Sequence, residues 1–179
     1  MWLCRAVGVL ACVAMVVAGA VITYIYASVY GAPPLFSTAL AVGFVLAVFV
    51  HELEHLALAR RRVVGIGLSP LGPFVLVRFD ARSTLAPALL SVPKIVAGAL
   101  LARIPQTTVA AVGTALLYAG LLSLIGSAVD LAIYATRGRV GRALEEKVLT
   151  RFGIYITLRG AVWGEDLVRL SRELDEQAP

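Results

Sequence analysis

From Ala6 to Tyr30 the chain runs 25 residues without a charge, and that run limits the possible folds more than any other feature. The hydrocarbon core of a bilayer is ~30 Å thick and takes about 20 apolar residues of helix to cross. A helix that is apolar all round belongs in a large core or in lipid, and 179 residues leave little room for a large core. The run is not isolated. Leu35 to Ala59 is charge-free up to His51 and ends on Arg60-Arg61-Arg62, and two more runs cover 82–101 and 107–136, with Pro105 breaking the chain between them. Composition agrees: 60% of residues are apolar and 15% charged, against roughly 45–50% and 25% in soluble domains. The expected fold class is an all-α membrane protein of about four transmembrane helices, at 6–30, 35–59, 82–101 and 107–136. These form a membrane domain over residues 1–136, followed by a short cytoplasmic C-terminal tail over 137–179.

The first run exceeds the ~7–15 apolar residues of a cleaved signal, so it is expected to stay as a span. Tyr24, Tyr26 and Tyr30 gather at its far end, as in an interfacial aromatic belt. Gly31-Ala32-Pro33-Pro34 then reads as a tight turn. Arginine supplies nearly all the positive charge, and its placement sets the orientation. Arg60 to Arg62, Arg78, Arg82, Arg137, Arg139 and Arg142 fall on one side of four spans, and only Arg103 falls on the other. The positive-inside rule then puts both termini and the 60–82 loop in the cytoplasm of a cell-membrane protein. Because the arginines flank apolar runs, the net charge of +5 speaks for the lipid bilayer as partner and against nucleic acid. Cys4 and Cys12 are too few and too close to form a disulfide framework.

Two stretches outside the spans alternate like strands. Val63 to Leu68 and Phe74 to Phe79 flank Ser69-Pro70-Leu71-Gly72-Pro73, which predicts a small cytoplasmic β-hairpin over 63–79. Its edges must be covered by protein or meet water. In the tail, Phe152 to Leu158 alternates weakly, and Glu165 to Glu176 reads as a short amphipathic helix with Leu167, Leu170 and Leu174 on one face.

The chain has two histidines, and both lie in His51-Glu52-Leu53-Glu54-His55, an HExxH pattern inside the second span. Residues four apart on a helix share a face, so His51 and His55 can bind one metal ion through imidazole nitrogen. Glu52 points about 100° away, beside the ion rather than on it. This is the position of a general base for a zinc-activated water in a metallopeptidase. Ionisable residues at membrane depth cost several kcal/mol unless paired or placed in a polar cavity, and a metal accounts for three of them in five positions. A polar helix–helix contact or a proton-handling site is the other use of such a cluster.

Zn2+ needs a third protein ligand, with the fourth position left to water. The acids near membrane depth are Glu54 and Asp130. Asp130 is the stronger candidate. It is the only acid in the fourth span, lying ~10 Å inside Arg137, and His51 lies ~13 Å inside Arg60. Small residues around it (Gly113, Ala119, Gly120, Gly126, Ser127, Ala128) permit close helix approach. Glu54 borders the metal face and is expected to orient a ligand or bond a neighbouring helix. Lys94, in the third span beside Pro93, is expected to snorkel outward or to pair with an acid.

An HExxH within a span, a hairpin after it and an aspartate on a later span together resemble the site-2 protease type of intramembrane metallopeptidase. That type usually has Asn-Pro-Asp-Gly or Leu-Asp-Gly around its aspartate, where this chain reads Ser127-Ala128-Val129-Asp130-Leu131. The chain is more similar to the zincin peptidase family of small membrane HExxH proteins. The shared motifs are His51–His55, Leu85-Ala86-Pro87 and Gly126–Asp130, within residues 35 to 136, with Val129 where glycine is usual. The resemblance implies that His51, His55 and Asp130 bind zinc and that Glu52 is the catalytic base. The implied activity is peptide-bond hydrolysis, on a membrane protein or peptide substrate, near the cytoplasmic face. Another membrane-bound type uses a glutamate as third ligand, here Glu145 or Glu146, but it carries a large soluble catalytic portion that this chain lacks room for. The alternative from a different class is a non-enzymatic membrane protein using the metal or the ionisable cluster for transport or assembly.

Overall fold

The computed structural model describes residues 2–59, 63–69, 72–77, 81–135, 154–157 and 160–163. Four helices carry most of the chain: α1 (Trp2–Val29), α2 (Pro34–Ala59), α3 (Ala81–Leu101) and α4 (Thr107–Ala135). Strands β1 (Val63–Ser69) and β2 (Gly72–Val77) separate α2 from α3, and β3 (Ile154–Thr157) and β4 (Gly160–Trp163) follow α4. The turn between α1 and α2 is a Schellman motif. Ala32 N–H donates to Ala27 O at 3.0 Å and Gly31 N–H to Ser28 O at 3.0 Å, with Gly31 at φ 83°, the left-handed conformation that glycine takes without strain. Pro34 opens α2 at the first helical position, where its missing N–H has no intrahelical partner to lose.

Large apolar side chains face outward along every helix, among them Ile22, Leu53, Leu100 and Ile125, whereas the largest fully buried side chains among the described residues are Pro87, Ser37, Ser91, Ser123 and Ser127. This is the reverse of a protein folded in water and the pattern expected where lipid surrounds the helices and small or polar residues join them. α4 packs against both α2 and α3, and the contact is close because side chains are absent where backbones meet. A Cβ on Gly43 of α2 would stand 2.6 Å from Ala115 O of α4, and one on Gly98 of α3 would collide with the backbone of Leu117.

Among the described residues, three helices contain segments long and apolar enough to cross a membrane: Val9–Val29, Pro34–Leu58 and Thr107–Ala132. The third expected span is a helix over the anticipated residues, but its apolar part is only Pro87–Leu101, or ~22 Å at ~1.5 Å per residue. Two prolines and Lys94 interrupt it, and Ser91 and Lys94 turn towards α4 and α2.

The hairpin is present, with Ile66 paired to Val75 and Ser69 to Gly72. It belongs to a larger sheet than expected: β3 pairs antiparallel with β1 (Ile66 with Ile156) and β4 with β3, giving the order β2-β1-β3-β4. One hairpin edge is thus covered by the tail. The sheet also packs against α1 and α2. A Cβ on Gly72 would stand 2.9 Å from Met15 of α1, ~9 Å along the helix from Val9, where the apolar segment begins. The start of β2 therefore lies against α1, in keeping with the expectation that the hairpin be covered by protein or meet water. Arg60 to Arg62, Arg78, Arg137, Arg139 and Arg142, and the helix expected over Glu165–Glu176, lie outside the described residues.

Candidate metal centre

His51 and His55 sit one turn apart on α2, both buried, with ring centroids 4.8 Å apart and planes at 88°. The two Nε2 atoms converge on a single oxygen: each lies 3.0 Å from Oδ2 of Asp130 on α4. The approach depends on Gly126, one turn before Asp130, because a Cβ there would stand 3.2 Å from His51 Nε2. Helix spacing therefore aligns the rings, and a missing side chain lets α4 carry the carboxylate to them.

The three donor atoms lie within 4.8 Å of one another. Tetrahedral zinc with bonds of ~2.0–2.2 Å holds its donors roughly 3.3–3.5 Å apart, so small side-chain movements would admit an ion. Charge points the same way. Among the described residues, Glu52, Glu54 and Asp130 bring three carboxylates to this region against the one ammonium of Lys94, a net −2 with neutral histidines. A divalent cation would cancel that charge where water is scarce.

Glu52 lies beside the cluster. Its Oε2 accepts the backbone N–H of Val75 at 2.7 Å, so β2 holds the carboxylate in place. Glu54 turns away from the histidines: its Oε1 receives Lys94 Nζ at 2.6 Å. Of the two acids weighed for the third position, Asp130 meets the histidines and Glu54 meets Lys94. Glu145 and Glu146 lie outside the described residues.

A polar layer behind His51 was not anticipated. Nδ1 of His51 lies 3.2 Å from Ser123 Oγ. Ser91 Oγ lies 3.0 Å and Lys94 Nζ 3.2 Å from the same hydroxyl. The sequence carried a partial signal, since Ser123, Ser127 and Asp130 follow at four- and three-residue steps and share one face of α4. The Val75 amide left no signal, because every residue but proline carries one.

Compared with known proteins, the chain matches no family model, no curated protein and no solved structure.

Proposed function

We propose that this chain is a zinc-dependent membrane peptidase that hydrolyses peptide bonds within the membrane or just below its cytoplasmic face. The convergence of His51 Nε2, His55 Nε2 and Asp130 Oδ2 from two helices, with a glutamate held next to the first histidine, carries the reading. His51, His55 and Asp130 would hold the ion. Two imidazoles and a carboxylate are donors zinc accepts, and zinc supplies Lewis acidity together with an activated water. Glu52 is the general base. The Val75 amide holds one of its oxygens, and the other accepts a proton and can return it to the leaving amine. β2 is an edge strand beside the site, so an extended substrate segment can pair along it.

The proposed topology is four spans with both termini in the cytoplasm. Joining β1 to β3 in one sheet supports it. The segment after α2 and the segment after α4 then lie on one side, so α3 and α4 together leave and return. A pairing between α3 and α4 along their lengths, with Lys94 bound to α2, lets the shorter α3 accompany its neighbours.

Cleavage of membrane-protein substrates by the purified chain in detergent or liposomes tests the activity. The Glu52→Gln variant should keep its metal and lose at least ~100-fold in rate. Equal cleavage by wild type and Glu52→Gln would remove the base from the mechanism. A metal-bound protein with no cleavage of any substrate would favour a transport or assembly role.

A further inference from the structure

The hydroxyl of Ser123 on α4 takes three contacts, one from α2 and two from α3, and its hydrogen-bonding capacity is limited. A serine offers one proton and two lone pairs. Lys94 Nζ, 3.2 Å away, can only donate, and so takes one lone pair. Ser91 has one proton and an acceptor for it nearer than Ser123, the carbonyl of Pro87 at 2.9 Å. Ser91 Oγ is then free to accept the proton of Ser123, 3.0 Å away. One lone pair of Ser123 is left, and it faces His51 Nδ1 at 3.2 Å. Every contact of the Ser123 hydroxyl is satisfied and no atom is used twice when Nδ1 carries the ring proton. That is the tautomer whose Nε2 has a lone pair for a metal ion. Nε2 and Asp130 Oδ2, 3.0 Å apart, then face each other as two lone pairs, an arrangement that a cation between them would satisfy.

We propose that Ser123 is the positioning residue for His51, accepting its Nδ1 proton, and that Ser91 and the Lys94–Glu54 ion pair hold the Ser123 hydroxyl in the orientation this requires. The inference rests on the zinc reading and deepens it, since a ligand imidazole needs a partner for its other nitrogen to fix tautomer and ring angle. Lys94 is itself fixed by Glu54 at 2.6 Å. The ion pair joining α3 to α2 therefore acts on the metal site through one hydroxyl on α4. This explains why two charges and two serines are buried between helices that could have packed with alanine alone, at no cost in buried polar groups.

The test uses the full chain in detergent, loaded with zinc and labelled with 15N-histidine. With two histidines in the sequence, four ring-nitrogen signals report on the site. Ser123→Ala removes the hydroxyl and suits a helix. It should weaken zinc binding ~10–100-fold in competition with a chelator. It should also shift the protonated-nitrogen signal of one ring while the other ring stays in place. Should that variant fail to fold, the paired change Glu54→Met with Lys94→Met removes both charges and leaves neither unpaired. It should shift the same single signal and weaken zinc binding by roughly 10-fold. Unchanged affinity and signals in the folded variant, or equal shifts in both rings, would overturn the role of Ser123 while leaving the zinc site standing. A wild-type chain that binds no zinc would overturn both. Cleavage is not read, so an inactive protein does not affect the result.

Discussion

Replacing Gly126 by alanine adds one methyl group beside the atom proposed to bind the metal. The new Cβ would stand 3.2 Å from His51 Nε2, 3.3 Å from Cε1 and 3.5 Å from Cδ2, several tenths of an ångström inside the ~3.5–4.0 Å at which heavy atoms rest against each other. The ring cannot simply swing aside, because Nδ1 is engaged by Ser123 and Nε2 faces Asp130. Overpacking of this kind costs ~1–3 kcal/mol, and alanine returns ~0.8–1 kcal/mol of helix propensity relative to glycine. The net change in fold stability should therefore be small, about 0–2 kcal/mol. Metal binding has no such compensation, since a ligand atom is pushed from its place. A loss of ~1.4–2.8 kcal/mol, or ~10–100-fold in zinc affinity, is expected. Thermal unfolding in detergent and chelator competition measure the two effects separately. Unchanged zinc affinity in a folded Gly126→Ala protein would refute the placement of His51 Nε2 on the metal. A variant destabilised by well over ~3 kcal/mol, beyond the range expected for overpacking, would show that Gly126 serves chiefly helix packing.

Two further outcomes follow from the same geometry. Val75→Pro removes the amide that holds Glu52 without breaking the β1 ladder, because that amide points to α2 and edge strands tolerate proline. Hydrolysis should fall at least ~10-fold, given ~1.5–3 kcal/mol for a hydrogen bond to a charged group, while zinc content stays at the wild-type level; an unchanged rate would mean Glu52 needs no such support. Reporter fusions at Pro34 and Pro105 should read as external and one at Gly141 as cytoplasmic, and an external reading at Gly141 would put the metal site at the opposite face.

The sequence made the site legible where polar residues break an apolar rule. Two histidines four apart and a lone aspartate at similar depth each need partners in lipid, and here they partner one another. The helix ranges were legible for the same reason: runs of apolar residues bounded by arginine and proline leave few choices. The sequence leaves Lys94 either to snorkel outward or to pair with an acid, and finding Glu54 as its partner requires knowing which faces of α2 and α3 meet, a question of packing between distant segments. The pairing of β1 with β3 was hidden for a similar reason. Gly65–Leu68 and Ile154–Thr157 lie almost ninety residues apart, and local alternation reveals a strand without naming its neighbour. Gly160–Trp163 is too short, at four residues, to alternate visibly. Ser123 had a spacing signal on α4, but serine in a membrane helix commonly bonds its own backbone, as Ser127 does to Ser123 O at 3.0 Å.

The metal content of the purified chain bears most directly on the centre formed by His51, His55 and Asp130. Elemental analysis of wild type, His55→Ala and Asp130→Asn, each checked for folding by thermal unfolding, should find about one zinc per wild-type chain. Asp130→Asn keeps the shape of the side chain and removes its charge, so zinc should fall sharply in that variant and in His55→Ala while both stay folded. A folded wild-type chain free of metal would contradict the account. So would an Asp130→Asn protein that keeps its full zinc while Glu54→Gln loses it, because the ligands would then all come from α2.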